Sequence, residues 1–300
     1  MKLNIFKGKA LKTAVSIILV LCTLTAFTAL ASGSLGVIGG ADGPTSILVT
    51  DGEGSTLSDK PFLLQLYTIG IVGMVSVESG TMNVAVTIAL LVLCALVAYA
   101  LGSLNFGIII SKLVYKDDIR NYGSGNAGTT NMLRTYGKKA AIATIIGDAL
   151  KVVVAIIIGN ILVGSALFCG EYIAGFFAVL GHVYPVYYKF KGGKGVVASA
   201  ITMLMLDWRV FLIVFGFFVI VVAIWRYISL GSILSAAIYP MVTYAASITD
   251  NGQGGVDVVF AFILGVFVIV LHRTNIQRLL SGKENKLSFK KTDKKAADKK

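Results

Sequence analysis

Apolar residues in this chain neither alternate along strands nor keep to one helical stripe; they run on in long blocks separated by short polar stretches rich in Gly, Lys and Arg. A helix needs roughly 17 to 25 apolar residues to cross the hydrocarbon of a bilayer. Blocks at 84–110, 140–162, 172–188, 210–224, 228–246 and 258–271, with a shorter one at 195–206, predict about seven transmembrane helices. The expected fold class is all-α, a polytopic integral membrane helical bundle. An earlier apolar run opens at Ala14, behind Lys2, Lys7, Lys9 and Lys12, and ends at Ala29 and Ala31, the layout of a secretory signal or an uncleaved anchor. Residues 62–77 are apolar but broken by Gln65, Gly70 and Gly73, and read as a surface-lying or packed helix rather than a crossing.

The positions of Lys and Arg between the blocks orient them, because basic loops stay on the cytoplasmic side. Lys112, Lys116, Arg120, Arg134, Lys138 and Lys139 follow the first block, Lys189, Lys191 and Lys194 the third, Arg226 the fifth and Arg273 the last. The alternate connections carry Glu171 and the Asp250 and Asp257 region, with Arg209 the one exception. The seven helices therefore start outside and end in the cytoplasm. The chain divides into a signal-like or anchor segment at 1–31, an extracytoplasmic extension at 32–82, a membrane domain at 83–284 and a Lys-rich cytoplasmic tail at 285–300.

Composition sharpens this picture. Of the 300 residues 56% are hydrophobic and 14% charged, and mean hydropathy is +0.83, whereas soluble domains are about a quarter charged. Lys and Arg number 27 against 15 acids. Residues 283–300 alone hold eight Lys and three acids, so a tail solvated near anionic headgroups accounts for much of the excess without any nucleic acid. Cys22, Cys94 and Cys169 are far apart in apolar segments and there are two histidines. A disulfide framework and a metal centre are both unsupported, and no cofactor is called for.

Three polar stretches carry candidate chemistry, and the topology brings all of them to the cytoplasmic side. In the first, Gly123, Gly125 and Gly128 let the backbone turn with its N–H groups exposed, while Ser124, Asn126, Thr130, Asn131 and Arg134 add donors and a planar cation, a combination suited to phosphate. The glycines match G-x-G-x-x-G, with Asp148 further on, but a dinucleotide fold needs a preceding strand and a soluble βαβ unit. In the second, Lys194 lies between Gly193 and Gly195 ahead of a helix whose N-terminus attracts anions. Gly195 stands where a Walker A loop needs Ser or Thr, so an ATPase lacks its magnesium ligand. Lys189 and Lys191 serve as headgroup anchors. The third stretch holds His272, Arg273 and Asn275, which either close the anion site from another helix or, for His272, snorkel at the interface. Asp148 and Lys151 share a helix face and read as a structural pair beneath the first loop. Ser229 and Ser232 follow Trp225, Arg226 and Tyr227, and either touch a substrate phosphate or make caps and interhelix bonds.

These stretches resemble, in order, the three signature motifs of the acyl-phosphate-dependent glycerol-3-phosphate acyltransferase family, PlsY. They are Gly123-Ser124-Gly125-Asn126-Ala127-Gly128-Thr129-Thr130-Asn131; His182-Val183-Tyr184-Pro185 with Phe190-Lys191-Gly192-Gly193-Lys194-Gly195; and His272-Arg273-Thr274-Asn275-Ile276-Gln277-Arg278-Leu279. The entry Tyr99-Ala100-Leu101-Gly102-Ser103-Leu104-Asn105-Phe106-Gly107 also fits, and the likeness covers about residues 83–284. The resemblance implies transfer of a fatty acyl group from acyl phosphate to the 1-hydroxyl of sn-glycerol 3-phosphate, giving lysophosphatidic acid and phosphate in phospholipid biosynthesis. It implies catalytic roles for His272, Lys194, Arg134 and Asn275. It also places Ser124 and a serine of the Ser229 or Ser232 turn at the site; with the loop donors read above, the candidate phosphate-binding residues are Ser124, Gly125, Asn126, Gly128, Thr130, Asn131, Gly193, Gly195, Ser229, Ser232 and Arg273, and the supporting ones Asp148, Lys151 and His182. The implied partners are the two substrates, membrane lipid and other enzymes of phospholipid synthesis, at a multi-pass site in the cell membrane.

Departures from the family pattern are Thr129 for a common Ala, Asn105 for a frequent Pro and Val152 for a usual Gly; none removes a charged site residue. Other glycerol-phosphate acyltransferases place Asp five residues after a His, whereas here those positions are Tyr187 and Gln277. Residues 36–47 resemble a segment of the β subunits of sodium-pumping decarboxylases, too short a match to imply transport. The competing class is a membrane transporter or flippase for a phosphorylated solute or lipid, whose site would be expected near the midplane at broken helices.

Overall fold

The computed structural model describes residues 84–163, 170–249 and 255–287, all of them helix or connecting loop. The signal-like segment, the extension with its 62–77 stretch and the tail beyond 287 lie outside the described residues. The helices are α1 (Val84–Gly102), α2 (Phe106–Tyr115), α3 (Thr129–Tyr136), α4 (Lys138–Val163), α5 (Gly170–Val183), α6 (Val196–Leu206), α7 (Trp208–Trp225), α8 (Ile228–Thr249), α9 (Gly255–Leu271) and α10 (Arg273–Leu280).

Among the described residues four stretches are long and apolar enough to cross a membrane: Val86–Tyr115, Lys138–Val163, Trp208–Trp225 and Ile228–Thr249. The α9–α10 pair, bent by 59°, makes a fifth if taken as one span. The described parts of α5 and α6, with 14 and 11 residues, reach about 21 and 17 Å at 1.5 Å per residue, less than the roughly 30 Å hydrocarbon core. The first block continues to Tyr115 rather than ending at 110, and breaks between α1 and α2. Asn105 causes the restart: its side chain accepts from Ile108 N at 3.2 Å and caps α2.

Side chains sort themselves as a membrane requires. Ile88, Leu96, Ile161, Trp208, Ile224 and Val270 face outward, while crossings are made of small residues that let backbones approach. A Cβ on Gly102 would stand 2.2 Å from the Ala178 carbonyl oxygen, and one on Gly265 would stand 2.5 Å from that of Ala236. α1 packs on α4 and α5, α6 fits among α4, α5 and α7, and α8 is held between α7 and α9. At the turn before α7, Asp207 accepts from Arg209 N at 2.8 Å and pairs with the Arg209 guanidinium at 2.9 Å. The basic residue that broke the charge pattern is thereby neutralised where it stands.

Polar atoms inside the bundle gather at one knot. Lys151 Nζ lies 2.7 Å from Asp148 Oδ1, donates to the Leu104 carbonyl at 2.9 Å, and is 3.0 Å from His182 Nδ1. Asp148 also accepts weakly from Phe106 N at 3.4 Å. Together the three side chains tie the α1–α2 break, α4 and the end of α5, and all are nearly inaccessible. The expected Asp148–Lys151 pair is thus present, with His182 as its third member.

A buried charge stripped of its partner is strongly destabilising. Lys151→Met should cost about 3–5 kcal/mol, read as a large drop in the thermal midpoint in detergent, and Asp148→Asn added to it should recover part of the loss. A single variant as stable as wild type would show that the pair does not hold these helices.

Candidate active site

The first polar stretch is a loop knotted around one amide. Asn131, near the start of α3 and 2% exposed, donates through Nδ2 to the carbonyls of Ile119, Tyr122 and Asn126 at 3.2, 2.9 and 2.9 Å. Its Oδ1 accepts from Ser124 N at 3.2 Å. Gly123 and Gly125 adopt φ of 58° and 70°, the left-handed turn that glycine takes without strain. Asn126 Oδ1 accepts from Gly128 N at 2.9 Å. Asn131 is therefore spent on holding the loop, while Ser124 and Thr130 line the space beside it.

Arg120 joins this loop to the second stretch, donating to the carbonyls of Tyr188 and Lys191 at 2.9 and 3.1 Å while pairing with Asp118 at 2.7 Å. The second stretch folds back on the end of α5: Gly192 N bonds Val183 O at 3.0 Å and Gly193 N bonds His182 O at 3.1 Å. Gly193 abuts His182 Nε2, since a Cβ there would stand 2.0 Å from that nitrogen. Gly195 turns at φ 72° and caps α6 without a side-chain bond, so the unpaired N–H groups of the first turn of α6 are presented beside Lys194.

The third stretch and the chain after α10 close the opposite wall. Lys194 Nζ donates to Asn275 Oδ1. Glu284 returns across the site and accepts from Asn275 Nδ2 at 2.9 Å, Ser229 Oγ at 3.0 Å and Arg278 Nε at 2.8 Å. Arg134 donates to Asn285 O at 3.2 Å. His272 Nδ1 is 2.8 Å from Val268 O; a carbonyl only accepts, so Nδ1 carries the proton and Nε2 keeps a lone pair.

These walls enclose a cavity of about 510 Å³. Its polar part holds Ser124, Asn126, Gly128, Thr130, Asn131, Arg134, Asp148, His182, Lys194, Gly195, Ser229, Ser232, His272 and Asn275, drawn from all three stretches and their supports. Its apolar limb runs between α6, α7, α8 and α9 past Ile201, Phe211, Val214, Phe215, Leu264 and Val268. Of the other predicted residues, Gly125 and Gly193 shape loops without lining the cavity, Lys151 sits behind it, and Arg273 is exposed. Ser232 Oγ is bonded to Ile228 O at 2.9 Å within its own helix.

Sequence reasoning missed Arg278, Glu284, Thr129 and Ser199, which also line the cavity. Glu284 was the least legible, one of three acids in a lysine-rich segment, and only the return of the chain brings it onto Ser229 and Asn275. Among the described residues no group of His, Cys, Asp and Glu is arranged for a metal.

Electrostatics favour an anion. Burial, reinforced by Arg278 and opposed by Glu284, lowers the Lys194 ammonium to about 8. Burial also lowers the Arg134 guanidinium. Burial takes His272 down to about 4, with Lys194 adding to the effect while the Val268 bond and Glu284 oppose it. Burial opposes ionisation of Glu284, yet bonds from Arg278, Asn275 and Ser229 hold its carboxyl below the ordinary value. Three cations thus share one carboxylate, and each gains if negative charge arrives.

The described residues thus form an all-helical integral membrane bundle whose cationic chamber opens into an apolar limb. Residues 92–282 match the family model described as glycerol-3-phosphate acyltransferase, and the chain belongs to that family. It is 41% identical over 199 residues to the glycerol-3-phosphate acyltransferase of Thermoanaerobacter pseudethanolicus, covering 66% of this chain and 96% of the relative. The Coxiella burnetii enzyme of the same name is 40% identical over 199 residues, with 66% and 98% covered. Among solved structures, the integral membrane PlsY in its glycerol 3-phosphate form is 33% identical with a TM-score of 0.59, and 66% of this chain and 96% of that one are covered. The lysophosphatidic acid form is 32% identical with a TM-score of 0.56 and the same coverage.

If Asn131 holds the first loop, Asn131→Leu should release residues 119–128 without loosening α4 or α8. Amide exchange in detergent should quicken at least tenfold in that loop alone; unchanged protection there would remove the assigned role.

Proposed function

We propose that this chain transfers a fatty acyl group from acyl phosphate to the 1-hydroxyl of sn-glycerol 3-phosphate, forming lysophosphatidic acid and inorganic phosphate. The observation that carries the reading is the single cavity in which Ser124, Arg134, Lys194, Ser229 and Asn275 stand at one end and an apolar limb leaves from the other. Both reactants bring a phosphate and one brings a long chain. Similarity to PlsY structures in glycerol 3-phosphate and lysophosphatidic acid forms supports the same pair of ligands.

Acyl phosphate is already an activated mixed anhydride, so the chain has to position two anions and neutralise charge rather than supply a nucleophile. Arg134, Lys194, the glycine-loop N–H groups and Asn275 hold the phosphates. His272, its Nδ1 proton committed to Val268, offers Nε2 to the attacking hydroxyl. Two phosphates beside it raise its proton affinity from the low value that burial sets. The hydroxyl oxygen adds to the acyl carbon, the bond from that carbon to the phosphate oxygen breaks, and the proton passes through His272 to the departing phosphate. Asp148, Lys151 and His182 support the two loops, and Ser232 completes the wall beside Ser229.

The topology is part of the proposal. Seven crossings, starting outside and ending in the cytoplasm, place the site on the cytoplasmic side, where basic residues concentrate. The membrane domain at 83–284 carries the activity, 1–31 serves as signal or anchor, 32–82 is an extracytoplasmic extension and 285–300 a tail beside the headgroups. Membrane lipid surrounds the bundle, and its product would be handed to further enzymes of phospholipid synthesis.

Purified protein given palmitoyl phosphate and glycerol 3-phosphate should form lysophosphatidic acid and phosphate in equal amounts. Phosphate release without the acylated product would make it a hydrolase and end the proposal.

A lowered Lys194 is charged below pH 8 and loses its proton as the pH rises through that value. Phosphate capture should weaken accordingly, so kcat/KM should fall above about pH 8, the limb reporting the free enzyme. Lys194→Arg should be slower but flat across this range, because guanidinium stays charged. A wild-type profile level to about pH 10, the ordinary lysine range, would separate Lys194 from substrate binding.

A further inference from the structure

Five buried hydroxyls in this bundle share one habit. Ser103, Thr144, Thr202, Ser232 and Thr243 each donate to the carbonyl four residues back, at 2.8 to 3.0 Å. Ser199 does not. It lies in α6, is 8% exposed, lines the cavity, and its Oγ has no hydrogen-bond partner. Thr129 Oγ1 is likewise buried and without a partner, and it also lines the cavity; it opens α3, directly after the first loop. A buried hydroxyl left unpaired is costly, and where one persists in a substrate cavity the missing partner is best sought in the substrate.

The place of Ser199 along α6 says which part of the substrate that is. One turn before it, Lys194 and Gly195 mark the phosphate end; one turn after it, Met203 begins the apolar limb. An acyl phosphate has the same order: phosphate, then carbonyl, then chain. With the phosphate at Lys194 and the chain between α6 and α9, the carbonyl falls level with Ser199.

We propose that Ser199 Oγ donates a hydrogen bond to the acyl carbonyl oxygen and holds it as it becomes an oxyanion; this rests on the acyltransferase reading given above. When the glycerol hydroxyl oxygen adds to the carbonyl carbon, the π pair moves to the carbonyl oxygen, and that charge meets the Ser199 O–H. The pair then returns, the carbon–oxygen bond to phosphate breaks, and phosphate leaves with the electrons. Ser199 keeps its proton throughout and forms no covalent bond.

Loss of one oxyanion donor costs roughly 10² to 10³ in kcat. Ser199→Ala should therefore lower kcat about a hundredfold with little change in KM for glycerol 3-phosphate, and its thermal midpoint in detergent should match wild type. Hexadecyl phosphate, which has a phosphate and a chain but no carbonyl, should inhibit wild type and Ser199→Ala with the same Ki. Ser199→Cys, with a weak donor of similar size, should fall between the two in kcat. A loss below tenfold in Ser199→Ala, or a Ki that weakens in step with kcat, overturns the assignment. Absence of acyl transfer by the wild-type protein would instead fail the underlying activity, so the two failures are told apart.

Discussion

The buried contact between Lys151 and Asp148 is the constraint from which the site is built. An ammonium inside an apolar bundle must be met on several sides, and here the Asp148 carboxylate, the Leu104 carbonyl and the His182 ring meet it. Leu104 lies in the break between α1 and α2, so that break is held against α4. His182 stands near the end of α5 and its Nε2 edge abuts Gly193, which sets where Lys194 leaves the backbone. A buried charge pair thus fixes the two loops that line the cationic wall of the cavity.

Glu284 applies the same physics at the chamber's edge. Arg134, Lys194 and Arg278 standing together would repel one another in a half-buried space, and one carboxylate bonded to Ser229, Asn275 and Arg278 offsets part of that repulsion. It leaves a positive balance in the cavity. An anion that enters meets cations already separated and oriented, so little reorganisation is needed when charge moves during reaction.

The apolar limb gives the chamber its second property. Small residues bring helices close at Gly102, Gly159 and Gly265, whereas Phe211, Phe215 and Leu264 line a gap between α6, α7, α8 and α9. Close packing at those crossings contrasts with the open space left here, part of a cavity of about 510 Å³. Along α6 the chamber changes from charged at Lys194 to apolar at Ile201 and Met203.

Much of this was legible in the residues alone. Unbroken apolar blocks required membrane helices, since a backbone in hydrocarbon must satisfy its own hydrogen bonds. Glycines around Ser124 and Lys194 with basic residues between them announced anion chemistry, and the spacing of Asp148 and Lys151 announced a pair. Local pattern did not show that Asn131 is consumed in holding its loop, that Gly125, Gly193 and Arg273 stay off the cavity wall, or that α1 breaks at Asn105. Nor did it single out Ser199, because a serine in a helix ordinarily satisfies itself on the preceding turn. Periodicity and charge are properties of neighbours in sequence, which the chain fixes by itself. The partner of a hydroxyl or a carboxylate is settled only when distant segments meet: the tertiary structure brings Ser229, Asn275 and Arg278 onto Glu284 and leaves Ser199 Oγ with none.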